Sequence, residues 1–270
     1  MILVINLGLK SIRAIVFDPD GNQIGCESRK VNSRLAGEWV EQDANEWRRL
    51  LQEVMYRLLE TPGLRRSIQF VTVACSASCL VPVDRNMHPT RNVIMVSDRR
   101  AAEQGQRIAE DETFKRFAEP LGYSSNPYSQ MARMLWFKEN EPDAYYNTKK
   151  ILSPNDFIVA LLTGGEIITD TLNAEKAYWD PRKNSYPDNV YAHFGLDSEM
   201  LPTCVPIGTR VGVMSTQLAT ELRLGSPPQI VLGTYDAICS VFGTGVSSPG
   251  QVCDVSGTVT SVRMYSDQPY

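Results

Sequence analysis

The stretch Ile2-Leu-Val-Ile-Asn-Leu-Gly-Leu-Lys-Ser-Ile-Arg-Ala-Ile-Val-Phe-Asp18 decides the fold. It contains two runs rich in β-branched residues, separated by a break around Gly8. The turn signal Asp18-Pro-Asp-Gly21 follows, and residues 23–31 are again extended in character. Three extended runs joined by short turns predict an antiparallel meander that opens the domain.

Further along the chain, the spacing of apolar residues switches between helical and extended periods. Helices are predicted at residues 47–59, after the capping-box spacing Asp43-Ala-Asn-Glu46, and at residues 99–119, 131–139, 154–162, 216–222 and 237–242. Strands are predicted at residues 69–75, 79–83, 94–96 and 230–232, and a late hairpin pairs residues 251–256 with 259–265. The first helix is expected to pack its apolar stripe on the sheet.

Composition restricts the class of partner. The chain has 270 residues, 43% of them hydrophobic, with 27 basic against 31 acidic side chains. A net charge of −4 argues against nucleic acid or an anionic membrane and favours small molecules or proteins as partners. Six scattered cysteines lack zinc-site spacing and no apolar run reaches membrane-spanning length, so we expect reduced thiols and a cytoplasmic location.

Common phosphate-binding and metal motifs are absent from the sequence. It contains no GxxxxGKS/T loop, no GxGxxG after a strand and no HExxH. With two histidines in the whole chain, a histidine-based catalytic triad is poorly supported as well. Any phosphate chemistry must therefore use another scaffold.

A series of motifs in a fixed order suggests such a scaffold. After the opening stretch come Glu38-Trp-Val-Glu-Gln-Asp43, Ile94-Met-Val-Ser-Asp-Arg-Arg-Ala101, Leu135-Trp-Phe-Lys-Glu-Asn140, Thr169-Asp170 with Asn173-Ala174, and Val231-Leu-Gly-Thr-Tyr-Asp-Ala237. Their order resembles that of the FGGY carbohydrate kinases, relatives of actin and hexokinase with two ribonuclease-H-like lobes around a cleft. The resemblance covers nearly the entire chain.

The resemblance implies an α/β fold of the ribonuclease-H-like, actin/hexokinase type, with a mixed sheet flanked by helices. Residues 1–232 would form the sugar-binding lobe. Residues 233–270 would hold the catalytic aspartate and the first hairpin of a truncated C-terminal lobe. The implied reaction is transfer of a phosphoryl group from ATP, with Mg²⁺, to a hydroxyl of a ketose or polyol. The missing nucleotide-binding lobe is then a partner, and we expect this chain alone to be nearly inactive.

Asp236 is the candidate general base that the resemblance implies. A base would accept the hydroxyl proton as the sugar oxygen attacks phosphorus. Alternatively, Asp236 is the N-cap of the helix that follows, which is a common role for aspartate. The matching sequence context favours the base.

For the sugar, the resemblance implies contacts from five residues: Ser76, Ser78, Asp98, Arg99 and Tyr128. Each has a simpler alternative. The two serines would serve a tight turn, Asp98 and Arg99 would open a helix and pair with neighbours, and the tyrosine would pack in a loop. Small residues at 76–78 favour a ketose such as ribulose over glycerol.

For the phosphates, the resemblance implies Gly8 and Lys10 in the first hairpin and Gly257 and Thr258 in the late one. Asn6 stands where relatives have an aspartate near the metal, so it is a degenerate metal position that has lost the charge that attracts Mg²⁺. This departure leaves a second function open, a non-catalytic sugar-binding or regulatory protein. The late hairpin would also expose strand edges, which leaves a homodimer open.

Overall fold

A computed structural model describes residues 1–123, 129–256 and 260–268. The strands are β1 (Ile2–Leu7), β2 (Ser11–Phe17), β3 (Gln23–Lys30), β4 (Arg34–Ala36), β5 (Trp39–Gln42), β6 (Phe70–Cys75), β7 (Val81–Val83), β8 (Val93–Ile94), β9 (Lys150–Leu152), β10 (Ile168–Asp170), β11 (Thr203–Val205), β12 (Arg210–Val213), β13 (Gln229–Val231), β14 (Val252–Ser256) and β15 (Thr260–Met264). The α-helices are α1 (Ala44–Leu58), α2 (Leu64–Ser67), α3 (Ala102–Glu110), α4 (Glu112–Ala118), α5 (Gln130–Asn140), α6 (Pro142–Asn147), α7 (Pro154–Thr163), α8 (Thr171–Ala174), α9 (Asp188–His193), α10 (Thr216–Glu221) and α11 (Asp236–Gly243).

The central sheet has six strands in the order β12-β13-β6-β1-β2-β3. The first three strands form the predicted antiparallel meander, since β1 pairs with β2 and β2 with β3 in opposite directions. β6 lies parallel to β1 on its other side, and β13 lies parallel to β6. The predicted mixed sheet flanked by helices is therefore confirmed.

Alternation of side chains on β1 and β2 builds the main core. Leu3, Ile5 and Leu7 are buried on one strand, and Ile12, Ala14 and Val16 are buried on the next, as a two-residue period requires. Helix α1 covers this sheet, and its apolar stripe is centred on Trp47, which is fully buried. The predicted packing of the first helix on the sheet is thus confirmed.

Helix ends account for two differences from the predicted elements. Asp43 caps α1 by accepting from the Asn45 amide at 2.8 Å, but Glu46 does not complete a capping box because its carboxylate accepts from Asn32. The single helix predicted at residues 99–119 is wrong. It is broken at Asp111, whose side chain caps α4, so that α3 and α4 are separate helices.

The late hairpin is confirmed. β14 and β15 pair antiparallel, and residues 257–259 between them lie outside the described residues. Three apolar side chains of this hairpin are exposed: Val252, Val262 and Met264. Among the described residues, no helix combines the length and the apolar character needed to cross a membrane.

Candidate functional site at the carboxyl edge of the sheet

The carboxyl ends of three parallel strands, β1, β6 and β13, lie side by side in the central sheet. Asn6 of β1 is in register with Ala74 of β6, and its side-chain amide donates to the Ala74 carbonyl at 2.7 Å. At the ends of the same two strands, the backbone amide of Ser76 donates to the carbonyl of Leu7 at 2.9 Å. In open α/β sheets, ligands bind at this edge, where the chain leaves the strands. The candidate residues that follow these strands therefore share one edge.

Asp236 begins α11, the helix that follows β13 at this edge. The N-cap is Tyr235, which makes no side-chain capping bond, so the alternative interpretation of Asp236 as an N-cap is not what the structure has. The Asp236 carboxylate is half-buried, and this burial raises its pKa against the opposing effects of the Ala237 amide and the Arg263 charge. A carboxylate with a raised pKa at a ligand-binding edge is suited to act as a general base near neutral pH.

Helix α11, which begins at Asp236, contacts strand β6, so Asp236 lies close to the loop that follows this strand. Burial raises the pKa of the Cys75 and Cys79 thiols, and the negative charge of Asp236 raises both further. These two cysteines bracket the loop that contains Ser76 and Ser78. The structure therefore brings the predicted base and the predicted sugar-contacting loop together.

Buried polar side chains hold this loop in place. The Arg133 guanidinium donates to the carbonyl of Ser78 and, at 2.9 Å, to that of Val96. At the start of the loop, the side-chain oxygen of Asn155 accepts from the Cys75 amide at 2.6 Å. Both Arg133 and Asn155 are 1% exposed.

The two serines occupy different surroundings within the loop. Ser78 has a φ of 57°, in the left-handed region, as the tight-turn interpretation requires. Ser76 is buried, with its hydroxyl 3.8 Å from the Cys79 sulfur. Their contacts with a sugar stay predictions.

Asp98 and Arg99 have different surroundings. The Asp98 carboxylate is buried, and its oxygens accept from the Arg100 guanidinium at 2.9 and 2.7 Å and from the Val40 amide at 2.6 Å. Arg100 in turn lies over the Trp39 ring, 4.1 Å from its centroid. Asp98 thus pairs with a neighbour, as one part of the alternative interpretation holds, but neither residue begins a helix, as its other part required. Arg99 is exposed, and the sugar contacts of both residues stay predictions.

The phosphate candidates of the first hairpin lie at the same edge. Gly8 donates its amide to the Ser11 carbonyl at 3.0 Å, and Lys10 is exposed next to it. Tyr128, Gly257 and Thr258 lie outside the described residues.

The described residues hold no cluster of metal ligands and have cavities away from this edge. Over residues 1–123, 129–256 and 260–268, no three His, Cys, Asp or Glu side chains gather as a metal-binding group, so the metal role of Asn6 stays a prediction. Three cavities in the same part of the chain lie elsewhere, one of them between α1, α7 and α10. Asp236 lines none of these three.

Sequence reasoning did not single out the residues that fix this site. Arg133 interrupts an apolar helical stretch, and this was the one local signal available for it. Asn155 was part of the predicted helix at residues 154–162, and Asp170 and Thr234 were each part of a motif, without a role of their own. Their partners lie 55 to 80 residues away, at distances that no local pattern reveals.

Gly233, between β13 and α11, is required by close packing. A Cβ atom at this position would lie 2.2 Å from the Val73 carbonyl oxygen and 2.8 Å from the Thr72 hydroxyl. We expect Gly233→Ala to lower the free energy of unfolding by about 3 kcal/mol, because the β6 backbone would have to move. Urea denaturation measures this.

The matched control is Gly243→Ala, at the last residue of α11. A Cβ atom there meets no other atom within 4 Å, so the change should stay within about 1 kcal/mol of zero. Equal stabilities of the two variants would contradict the packing at Gly233.

Comparison with known proteins gives a consistent result. The family described as "FGGY family of carbohydrate kinases, N-terminal domain" matches residues 1–243. A xylulose kinase of Lactococcus lactis is 25% identical over 91% of this chain and 49% of its own length, and an autoinducer-2 kinase of Enterobacter sp. (strain 638) is 27% identical over 95% and 49%. The structure of a ligand-bound xylulose kinase from Lactobacillus acidophilus matches with a TM-score of 0.89 at 18% identity, over 100% of this chain and 55% of that one. The chain spans about half the length of the curated relatives it matches.

Proposed function

Because the chain belongs to the FGGY family of carbohydrate kinases, we propose that it is the sugar-binding lobe of an ATP-dependent kinase that phosphorylates a hydroxyl of a ketose or polyol. The observation that carries this proposal is the position of Asp236. Its half-buried carboxylate, with a raised pKa, lies beside the Ser76–Ser78 loop at the carboxyl edge of the parallel strands.

In the proposed reaction, a sugar hydroxyl lies between the loop and Asp236. As the hydroxyl oxygen forms a bond to the terminal phosphorus of ATP, the bond from that phosphorus to the bridging oxygen breaks and ADP leaves. The hydroxyl proton passes to the Asp236 carboxylate. A base in this position contributes about 10²–10⁴-fold to the rate.

The phosphates and the metal depend on groups beyond these residues. Asn6 is uncharged and its amide is bonded to Ala74, so this position does not supply the carboxylate that magnesium prefers. We assign no step to the metal, and Gly8 and Lys10 are the residues of the described hairpin that would face the phosphates.

We assign residues 1–232 to the sugar lobe and residues 233–270 to the start of a second, nucleotide-binding lobe. Support comes from the late hairpin, since in the described part of the chain β14 and β15 pair only with each other. Their exposed Val252, Val262 and Met264 form an apolar surface that a further lobe would cover. Alternatively, the same hairpin of a second copy of this chain would cover this apolar surface in a homodimer.

The non-catalytic alternative also has an observation in its favour. The Asn6 amide donates to a backbone carbonyl, and Asn6 stands where the resemblance implies an aspartate near the metal. A protein that recognises a sugar and has lost phosphoryl transfer would tolerate this residue. We propose a ketose as the substrate. Relatives in the family are named for substrates as different as xylulose and autoinducer-2, so family membership alone does not identify the sugar.

Isothermal titration calorimetry on this chain tests the first part of the proposal. We expect a ketose to bind, and Mg-ATP to bind with a Kd above about 1 mM, because we assign nucleotide binding to a second lobe and this chain spans about half the length of its relatives. Efficient ATP-dependent phosphorylation by these 270 residues alone would contradict the division into lobes.

The same titration on this chain joined to the proposed nucleotide-binding lobe, which we call the complete protein, separates a kinase from a non-catalytic binder. A kinase should bind Mg-ATP and convert the ketose to a sugar phosphate. Sugar binding without product, and without any effect of nucleotide, would favour the alternative.

A further inference from the structure

The segment between β13 and α11, residues 232–235, is fixed on one side by the sheet. Gly233 packs so closely on β6 that no side chain fits between its backbone and the Val73 carbonyl. This contact fixes the distance between the backbone of Gly233 and strand β6, three residues before Asp236. It does not set the direction in which the chain then turns into the helix.

Thr234 supplies a second fixed point. Its side chain is 5% exposed, and its hydroxyl donates to the Asp170 carboxylate at 2.8 Å. Thr234 and Asp170 are 64 residues apart in sequence, so this bond ties α11 to a different part of the lobe. It is a charge-assisted hydrogen bond between two buried groups, which is stronger than one between neutral groups.

Asp170 is itself held in place. It is fully buried and is the N-cap of α8, accepting from the Leu172 amide at 3.1 Å and the Asn173 amide at 3.2 Å. Its second oxygen accepts from the Asn173 side chain at 2.5 Å. With four donors around it, the Asp170 carboxylate cannot follow Thr234 if that residue moves.

Helix α11 begins without a side-chain cap, because its N-cap residue Tyr235 makes no capping bond. In its first turn the amides of Ile238 and Cys239 donate to the Tyr235 carbonyl, and the Lys176 ammonium lies 5.1 Å from the centroid of the Tyr235 ring. The Cys239 sulfur donates to the Thr234 carbonyl at 3.6 Å, which ties this turn to Thr234 itself. The orientation of Asp236 therefore depends on how Thr234 is held.

We propose that Asp170, acting through the Thr234 hydroxyl, is a positioning residue that aims the Asp236 carboxylate at the sugar hydroxyl. This inference rests on the proposed role of Asp236 as general base. The Asp170–Thr234 hydrogen bond would hold the Asp236 carboxylate within reach of the sugar hydroxyl. This matters because a displacement of about 1 Å can lower a rate about 10²-fold.

Thr234→Val and Thr234→Ser test the proposal in the complete protein. Valine keeps the shape of threonine but has no hydroxyl, while Asp170 keeps its bonds from Leu172 and Asn173. We expect Thr234→Val to lower kcat about 10–100-fold with the KM for sugar within about threefold, and Thr234→Ser to restore most of the loss. Thermal melting of both variants checks that the fold is kept.

A second readout uses this chain and no catalysis. The pH titration of the Asp236 carboxyl carbon, followed by NMR, reports its surroundings directly. In Thr234→Val we expect the raised pKa of Asp236 to fall toward the ordinary value of about 3.9, because the first turn of α11 loosens and admits water. Thr234→Ser should titrate like the parent protein.

Asp236→Asn separates failure of this inference from failure of the proposed function. If Asp236→Asn is inactive while Thr234→Val keeps the kcat and the Asp236 titration of the parent, the positioning role is wrong and the kinase proposal stands. If Asp236→Asn turns over at the parent rate, both are wrong.

Discussion

Replacing Asp236 with asparagine is expected to lower kcat about 10²–10⁴-fold in the complete protein, with a much smaller change in the KM for sugar. Asparagine keeps the size and an acceptor oxygen but cannot take the hydroxyl proton. A coupled assay of ADP release with a panel of ketoses measures the effect.

A matched control is Asp188→Asn. Asp188 is also the first residue of a short helix, α9. It is exposed, and its carboxylate accepts a hydrogen bond from the Ser198 hydroxyl and not from a residue of the candidate site. Its replacement should leave kcat within about twofold of the parent value, as is usual for surface changes. An equal loss in both variants would mean that Asp236 matters only for the start of its helix.

The pH dependence of the reaction has a predictable sign. Burial raises the pKa of Asp236, so its carboxylate is lost earlier on acidification than that of an exposed aspartate. The rate kcat/KM should therefore fall on the acid side with an apparent pKa above about 3.9. A rate that stays level down to pH 4 would contradict the assignment of the base.

The second large effect concerns Asp156, next to Asn155 behind the loop. Its carboxyl is fully buried, and burial raises its pKa to about 7, with the nearby Asp170 charge adding to the rise. The unfolded chain has the ordinary value of about 3.9, so the folded protein binds the proton more tightly. The sign follows from this difference: stability from Asp156 is present at low pH and is lost as pH rises to about 7, by roughly 4 kcal/mol in all.

Asp156→Asn removes this pH dependence and keeps an oxygen that can accept from the Ser153 amide. From pH 5 to pH 8, the free energy of unfolding of the parent should fall by about 2–3 kcal/mol relative to the variant. Urea denaturation of both proteins at the two pH values measures the difference. A parent protein whose stability relative to Asp156→Asn stays constant from pH 5 to pH 8 would show that the Asp156 carboxyl is ionised throughout, and would contradict the raised pKa.

Local patterns predicted the meander, helix α1 and the late hairpin, because each depends on residues close in sequence. The pairing of β6 with β1 and with β13 could not be predicted from local patterns, because these strands are separated by long stretches of chain. The break at Asp111 was missed because the helical period of apolar residues continues across it, whereas the cap belongs to a single side chain.

Asp236 was reached through its sequence context, and the structure adds the neighbours that context cannot give. The surroundings of Asp98 illustrate the limit. Its carboxylate accepts hydrogen bonds from Arg100 and from the amide of Val40, which lies 58 residues earlier. Such pairings follow from the folded sheet and not from the spacing of residues along the chain.

The most direct test of the account is an NMR titration of the isotope-labelled chain with a ketose, followed through its backbone amides. We predict that the largest shifts fall on Gly8, on the loop that contains Ser76 and Ser78, and on residues 234–237. Shifts confined to another surface, such as the cavity between α1, α7 and α10, would contradict a sugar site at this edge of the sheet.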